Sequence, residues 1–262
     1  MKKLFFLLTV LFSLMINAQE GAIITMHAAL VEGDLNAFEK VESVYMKKVA
    51  QHAADRGDIL AWNLLKAVRL DGVNDEEQFN YMFVQSNKSV QDILDPKNMF
   101  WNLAEDVLSA EELSDLNNLR SKYTWTKDIH VVYRIESGLW FPSDPDAYKD
   151  AVIQFNFAKP KDKTGFLAEN SSLWKPFFAA NGPKMNMLSW GTGNKIHPTG
   201  DEWASVMTWD MFSSLADLFN YRLGDFSDNI EPPVRESNMN DINPGGFYQV
   251  ATWRWMAGAS AN

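Results

Sequence analysis

The sequence predicts an α+β fold in which one small β-α-β-β-α-β unit occurs twice and the two resulting sheets close against each other. Three observations predict it. The stretch around Lys47-Lys48 that ends in Ile59-Leu60-Ala61-Trp62 returns as Trp174-Lys175-Pro176 ending in Met187-Leu188-Ser189-Trp190, and 175 − 47 and 190 − 62 both give 128. Self-similarity at that spacing means that one chain carries two copies of one unit. The order of strand-like and helix-like segments is the same in both copies. Apolar residues make up 46% of the chain and there is no cysteine, so a core and not a disulfide framework must hold it.

In the first copy, Gly21 to Leu30 reads as a strand, because Ile23, Ile24, Thr25 and Met26 are β-formers in a short run. Gly33-Asp34 ends it, and Asp34 has the side chain of a helix N-cap. Leu35, Phe38, Val41, Val44, Tyr45 and Val49 follow at helical spacing up to Arg56-Gly57, where glycine supplies a stop. Asp58 to Lys66 is a second strand. A turn at Asp71-Gly72-Val73-Asn74-Asp75 leads to a third, Phe79 to Val84. Val90 to Arg120 is helical, broken at Pro96 and restarted by the capping-box sequence Ser109-Ala110-Glu111-Glu112. Ile129 to Ile135 is the fourth strand.

The second copy opens with a strand at Ala151 to Phe157. Asp162 precedes a helix carrying Phe166, and 162 − 34 and 166 − 38 are again 128. That helix runs to Asn181-Gly182. Strands follow at Met185 to Gly191 and Trp203 to Thr208. Gly191-Thr192-Gly193-Asn194 follows a strand but lacks GxGxxG, so it reads as a turn. Asp210 is placed as the cap of a helix carrying Phe212, Leu215, Leu218 and Phe219. The last strand is Phe247 to Met256, where Trp253-Arg254 matches Tyr133-Arg134 at a separation of 120. The predicted units are residues 20–136 and 151–262, joined by a linker over 137–150. The loop from Asp225 to Gly246 has no counterpart in the first copy; its Asp225, Asp228, Asn229 and Glu231 do not have EF-hand spacing.

The order β-α-β-β-α-β is the split-βαβ, ferredoxin-like pattern. One sheet face of each unit is covered by its helices, and two copies can bury both open faces against each other. This organisation, with the Met46-Lys47-Lys48 to Trp62 and Trp174-Lys175-Pro176 to Trp190 segments, resembles the dimeric α+β barrel superfamily. It looks like the tandem-repeat members related to the NIPSNAP, EthD and antibiotic-biosynthesis monooxygenase families, over roughly Gly21 to Met256. The resemblance implies a barrel closed within one chain, a monomer with pseudo-dimeric repeats that is free to assemble further. It implies no single chemistry, since that superfamily includes cofactor-free oxygenases, haem-degrading enzymes and members without known activity.

Lys2 and Lys3 followed by the apolar run Leu4 to Ile16 read as a signal peptide over residues 1–19, with the mature chain starting near Gln19 or Glu20. The expected location is therefore periplasmic or extracellular, with no later membrane segment. Net charge is −10 and the pI about 4.9, which argues against nucleic acid and anionic lipid as partners. The expected partner is a small molecule, anionic or aromatic, held between the two sheets.

Six residues are candidates for that site. His27 lies in the first strand, and 155 − 27 = 128 makes Phe155 its counterpart. His130 and Arg134 share one face of the fourth strand, matched by Val250 and Arg254. Arg134 and Arg254 facing a common interior would hold an anion; the alternative is that each pairs with a nearby acid. Trp62 and Trp190 match and read first as core, second as the wall of a pocket for a flat ligand. No histidine pair has the spacing of a metal motif, so no metal is expected, the alternative being a site assembled from distant segments; no other cofactor is expected, the alternative being a haem. The rival functions are an oxygenase-like enzyme, cofactor-free or haem-dependent, using His27 or His130, and an interaction role for the 225–246 loop.

Overall fold

The computed structural model describes residues 20–69, 78–96, 99–142, 144–200, 203–224 and 230–260. The segment read as a signal peptide, the turn expected at Asp71 to Asp75, and Asp225, Asp228 and Asn229 lie outside the described residues. Eight strands form one closed antiparallel barrel: β1 (Ile23–Gly33), β2 (Ala61–Ala67), β3 (Tyr81–Asn87), β4 (Tyr123–Trp140), β5 (Val152–Ala158), β6 (Met187–His197), β7 (Val206–Phe212) and β8 (Phe247–Ser260). Around the barrel the order is β1-β3-β2-β8-β5-β7-β6-β4. Each half contributes four neighbouring strands, β4-β1-β3-β2 and β8-β5-β7-β6. The two sheets therefore do not stack as separate layers. They join edge to edge, where β4 bonds β6 and β2 bonds β8.

Helices cover the outside. In the first half these are α1 (Leu35–Lys40), α2 (Lys47–Asp55), the short α3 (Val90–Leu94) and α4 (Ala104–Val107), and α5 (Ala110–Arg120). In the second half they are α6 (Lys163–Glu169), α7 (Lys175–Asn181), α8 (Leu215–Leu223) and α9 (Met239–Ile242). Asp34 and Asp162 both cap as expected, accepting hydrogen bonds from the Ala37 and Gly165 amides. Ser109 and Glu112 form the reciprocal capping box. One π-helical turn interrupts the first helix of each half, at Val41–Met46 and Asn170–Trp174. The wider turn shifts which side chains face the sheet, so Val44 is exposed while Tyr45 and Met46 are buried.

Side chains alternate between the barrel interior and the helix-covered outside with a period of two, broken at bulges such as Leu64/Leu65 in β2 and Met187/Ser189 in β6. Ile24, Met26, Tyr133, Phe155, Phe157, Trp209 and Trp253 fill the barrel interior. Trp62, Phe38 and Val49 pack between sheet and helices in the first half, and Trp190, Phe178 and Phe212 do so in the second. The barrel interior holds a cavity of about 20 Å³ beside Met26, Tyr133 and Phe157, room for about one water molecule. Among the described residues, that cavity is too small for the ligand expected between the sheets.

Three sequence expectations are corrected. Asp210 does not cap a helix: it is a buried residue of β7, and Ser214 caps α8. β4 continues to Trp140, through the start of the expected linker, because its second part bonds β6. Gly191 to Asn194 is not a turn but the middle of β6. Glycine stands there because a Cβ on Gly191 would meet the Trp209 ring at 2.2 Å and the Ser137 carbonyl oxygen at 2.5 Å. Gly191→Ala should therefore lower stability by about 1–3 kcal/mol in urea denaturation. Gly193→Ala should cost less, since its tightest contact at 2.9 Å is the movable Met207 methyl. Equal stability of Gly191→Ala and wild type would contradict this packing.

Candidate functional site

The two halves align one residue differently from the helix-based spacing. Ile23 pairs with Arg134, and Val152 pairs with Arg254, so β1 and β5 correspond at 152 − 23 = 129. A shift of one residue moves a side chain to the other sheet face. The counterpart of His27 is thus Asn156 on the outer face, and not Phe155, which lies in the barrel interior. By the same register, Thr25, His27, Phe83 and Gln85 of the first half correspond to Gln154, Asn156, Thr208 and Asp210 of the second. These four positions sit on the outer sheet face of each half.

In the second half all four are polar and buried. The Asn156 amide nitrogen donates to Asp210 Oδ2 at 2.7 Å and to Thr208 Oγ1 at 3.1 Å. Its carbonyl oxygen accepts from Gln154 at 2.5 Å and from Arg222 Nη2 of α8 at 3.2 Å. Burial pushes the Asp210 carboxyl up from its ordinary 3.8 to about 6, against the opposing pull of the Asn156 hydrogen bond and the Arg222 charge. Burial, reinforced by the Asp210 charge, raises the Tyr221 hydroxyl as well. Trp190 is the cross-strand neighbour of Asp210, and its ring stacks on Phe178 at 4.9 Å. Phe212 and Tyr221 complete this aromatic wall. Arg222 is exposed as a residue, so its guanidinium links the buried network to solvent.

In the first half the same face carries His27, directly opposite His130 on β4. Their rings stack at 3.7 Å, and both Nε2 atoms approach Asp128 Oδ2, at 3.2 and 3.3 Å. Trp125 and Phe83 lie against the His27 ring. Burial, and then the charge of His130, lower the His27 pKa to about 4 despite Asp128, so its ring is neutral at pH 7. His130 and Asp128 are exposed. A haem would take only one of these imidazoles as its axial ligand, with Asp128 as that ring's hydrogen-bond partner.

Of the expected site residues, His27 and His130 meet. Arg134 does not face the interior: it is exposed and pairs with Glu136 at 2.7 Å. Arg254 follows the interior residue Trp253 and is exposed on the opposite face. Trp62 and Trp190 are core, and Trp190 also borders the polar network. Sequence reading missed Gln154, Asn156, Thr208 and Asp210. Their signal was two polar pairs at i, i+2 in otherwise apolar strands. The described part of the 225–246 loop folds back onto the second half: Glu169 accepts from Ser237 Oγ at 2.6 Å and from the Asn238 amide at 2.9 Å.

No protein-family model and no curated protein matches the chain. Among solved structures it is similar to an anthrone oxidase-like protein, at 12% identity and TM-score 0.55, covering 94% of this chain and 95% of that one. It is also similar to a provisionally named monooxygenase from Fusobacterium nucleatum subsp. nucleatum, at 9% identity and TM-score 0.58, covering 92% and 95%. Both have the dimeric α+β barrel fold, and this chain shares it.

The folded chain holds the Asp210 proton to higher pH than the unfolded chain does. Its ionisation therefore destabilises the fold progressively from about pH 3.8 to 6 and fully above that. Asp210→Asn should gain stability over wild type across that window, by on the order of 3 kcal/mol, in urea denaturation at stepped pH. Parallel pH profiles for the two proteins would contradict the buried ionisation.

Proposed function

We propose that the protein is an exported, cofactor-free, oxygenase-like enzyme that binds a small anionic or aromatic compound against the outer face of β5 and β7, beneath α8. The observation that carries this reading is the buried Asp210, held by Asn156, close to the Arg222 charge and beside the Trp190, Phe178 and Tyr221 wall. A carboxylate with its ionisation near 6 is a base matched to neutral pH. It takes the proton of an acidic aromatic hydroxyl, and the Arg222 cation balances the charge left on the substrate. The anion gives one electron to dissolved oxygen, the oxidant; the resulting substrate radical and superoxide join through a new C–O bond, and the peroxide anion takes back the proton from Asp210, so that both oxygen atoms end in a substrate hydroperoxide. Fold neighbours described as anthrone oxidase-like and as a monooxygenase are compatible with this chemistry.

The tandem origin belongs to the same proposal. Both halves have the strand order of a ferredoxin-like unit, N-caps at Asp34 and Asp162, and a π-helical turn in the first helix. This supports a duplicated unit of the NIPSNAP, EthD or antibiotic-biosynthesis monooxygenase type. Export rests on the Lys2-Lys3 and Leu4 to Ile16 pattern. Protein recovered outside the cytoplasm should begin at Gln19 or Glu20.

An oxygen electrode tests the activity with a panel of hydroxy-aromatic acids. Wild type should consume oxygen with at least one, and Asp210→Asn should lose about 100-fold or more in rate while its tryptophan fluorescence is still quenched by the compound. No quenching by any compound, or full turnover by Asp210→Asn, would sink the proposal.

A further inference from the structure

The first half does not carry the polar quartet of the second. At the corresponding place it carries His27, Asp128 and His130, drawn from two strands 101 residues apart in sequence. Their ligand atoms all lie within 4.8 Å of one another. Two of the gaps, 3.2 and 3.3 Å, run from an imidazole Nε2 to the same carboxylate oxygen. Donor atoms about 2.0 to 2.1 Å from a tetrahedral ion are roughly 3.3 Å apart. The three donors are close enough for one ion to bridge them once the two stacked rings, now 20° from parallel, turn their Nε2 atoms toward it.

We infer that His27, Asp128 and His130 form a divalent metal site of the zinc class, with one coordination position open to solvent. Two imidazoles and one carboxylate are the donors that borderline divalent ions prefer over magnesium or calcium. The β-ladder sets the site in advance. His27 and His130 are directly opposed in register, and Asp128 follows at i − 2 on the same face of β4. A metal ion between the three donors satisfies the two imidazoles and the shared carboxylate oxygen together. Trp125 and Phe83 shield the His27 side from water, while exposed Asp128 and His130 leave an entry path. Three protein ligands and one free position are the arrangement of a reactive zinc centre and not of a closed structural one.

Calorimetric titration of the full exported chain, stripped with chelator, tests the site with Zn²⁺ as the probe. Wild type should bind one ion per chain, and its melting temperature should rise. His130→Ala and Asp128→Ala change exposed residues and should keep the fold. Each should weaken binding at least about 100-fold, the upper end of the loss seen for outer-shell partners alone. His27→Ala should do the same, and His52→Ala, in α2, should bind as wild type. No Zn²⁺ binding by wild type, or unchanged binding by His130→Ala and Asp128→Ala, overturns the site. Asp210 lies in the other half, so neither result bears on the oxygenase-like reading.

Discussion

Two strand seams hold this molecule together: β4 against β6, and β2 against β8. They explain why β4 and β8 are long, at 18 and 14 residues. Each must pair with its own half first and then reach the other. β4 bonds β1 through Tyr123 to Arg134 and β6 through Val132 to Trp140. β8 bonds β5 through Phe247 to Arg254 and β2 through Trp253 to Ser260. Closing the ring leaves neither sheet with two free edges, which removes a route to aggregation. It also brings the in-facing residues of both halves into one core. Trp209, Trp253 and Phe155 come from the second half, while Tyr133 and Met26 come from the first. A ring of eight strands is just wide enough for side chains to fill it, and among the described residues the interior is packed around a cavity of about 20 Å³.

With the inside committed to packing, the proposed chemistry falls to the outer sheet face beneath and beside the helices. There the two halves differ at corresponding positions. The second half presents an amide, a hydroxyl and a carboxyl in a closed hydrogen-bonded network. The first presents an imidazole at the Asn156-equivalent position and aromatic Phe83 in place of Thr208. Burial acts oppositely on the two sites. It raises the acid Asp210 and lowers the base His27, since in both cases it disfavours the charged form. The result is a carboxyl that keeps its proton to about pH 6 in one half and an imidazole that is neutral at pH 7 in the other.

The element order and the helix caps were legible because they are local. Asp34, Asp162 and the Ser109–Glu112 box act on amides within three residues. The candidate site was half legible. His27 and His130 stood out as chemistry-bearing residues, but Asp128, their common partner, reaches them only through β1–β4 pairing. The second-half network was hidden by a register difference of one residue. At a spacing of 128 His27 lies opposite Phe155, and at 129 it lies opposite Asn156. Only the pairing of Ile23 with Arg134 and Val152 with Arg254 decides between them. Arg134 and Arg254 misled for a related reason. Period-two alternation shows that they share a face, but not which face is inside.

If the seams make one body of the two halves, neither half can unfold while the other stays folded. Differential scanning calorimetry under reversible conditions measures this directly. The account predicts a single transition in which the calorimetric and van't Hoff enthalpies agree, as all-or-none unfolding requires. Two resolved transitions, or a van't Hoff enthalpy near half the calorimetric one, would contradict it.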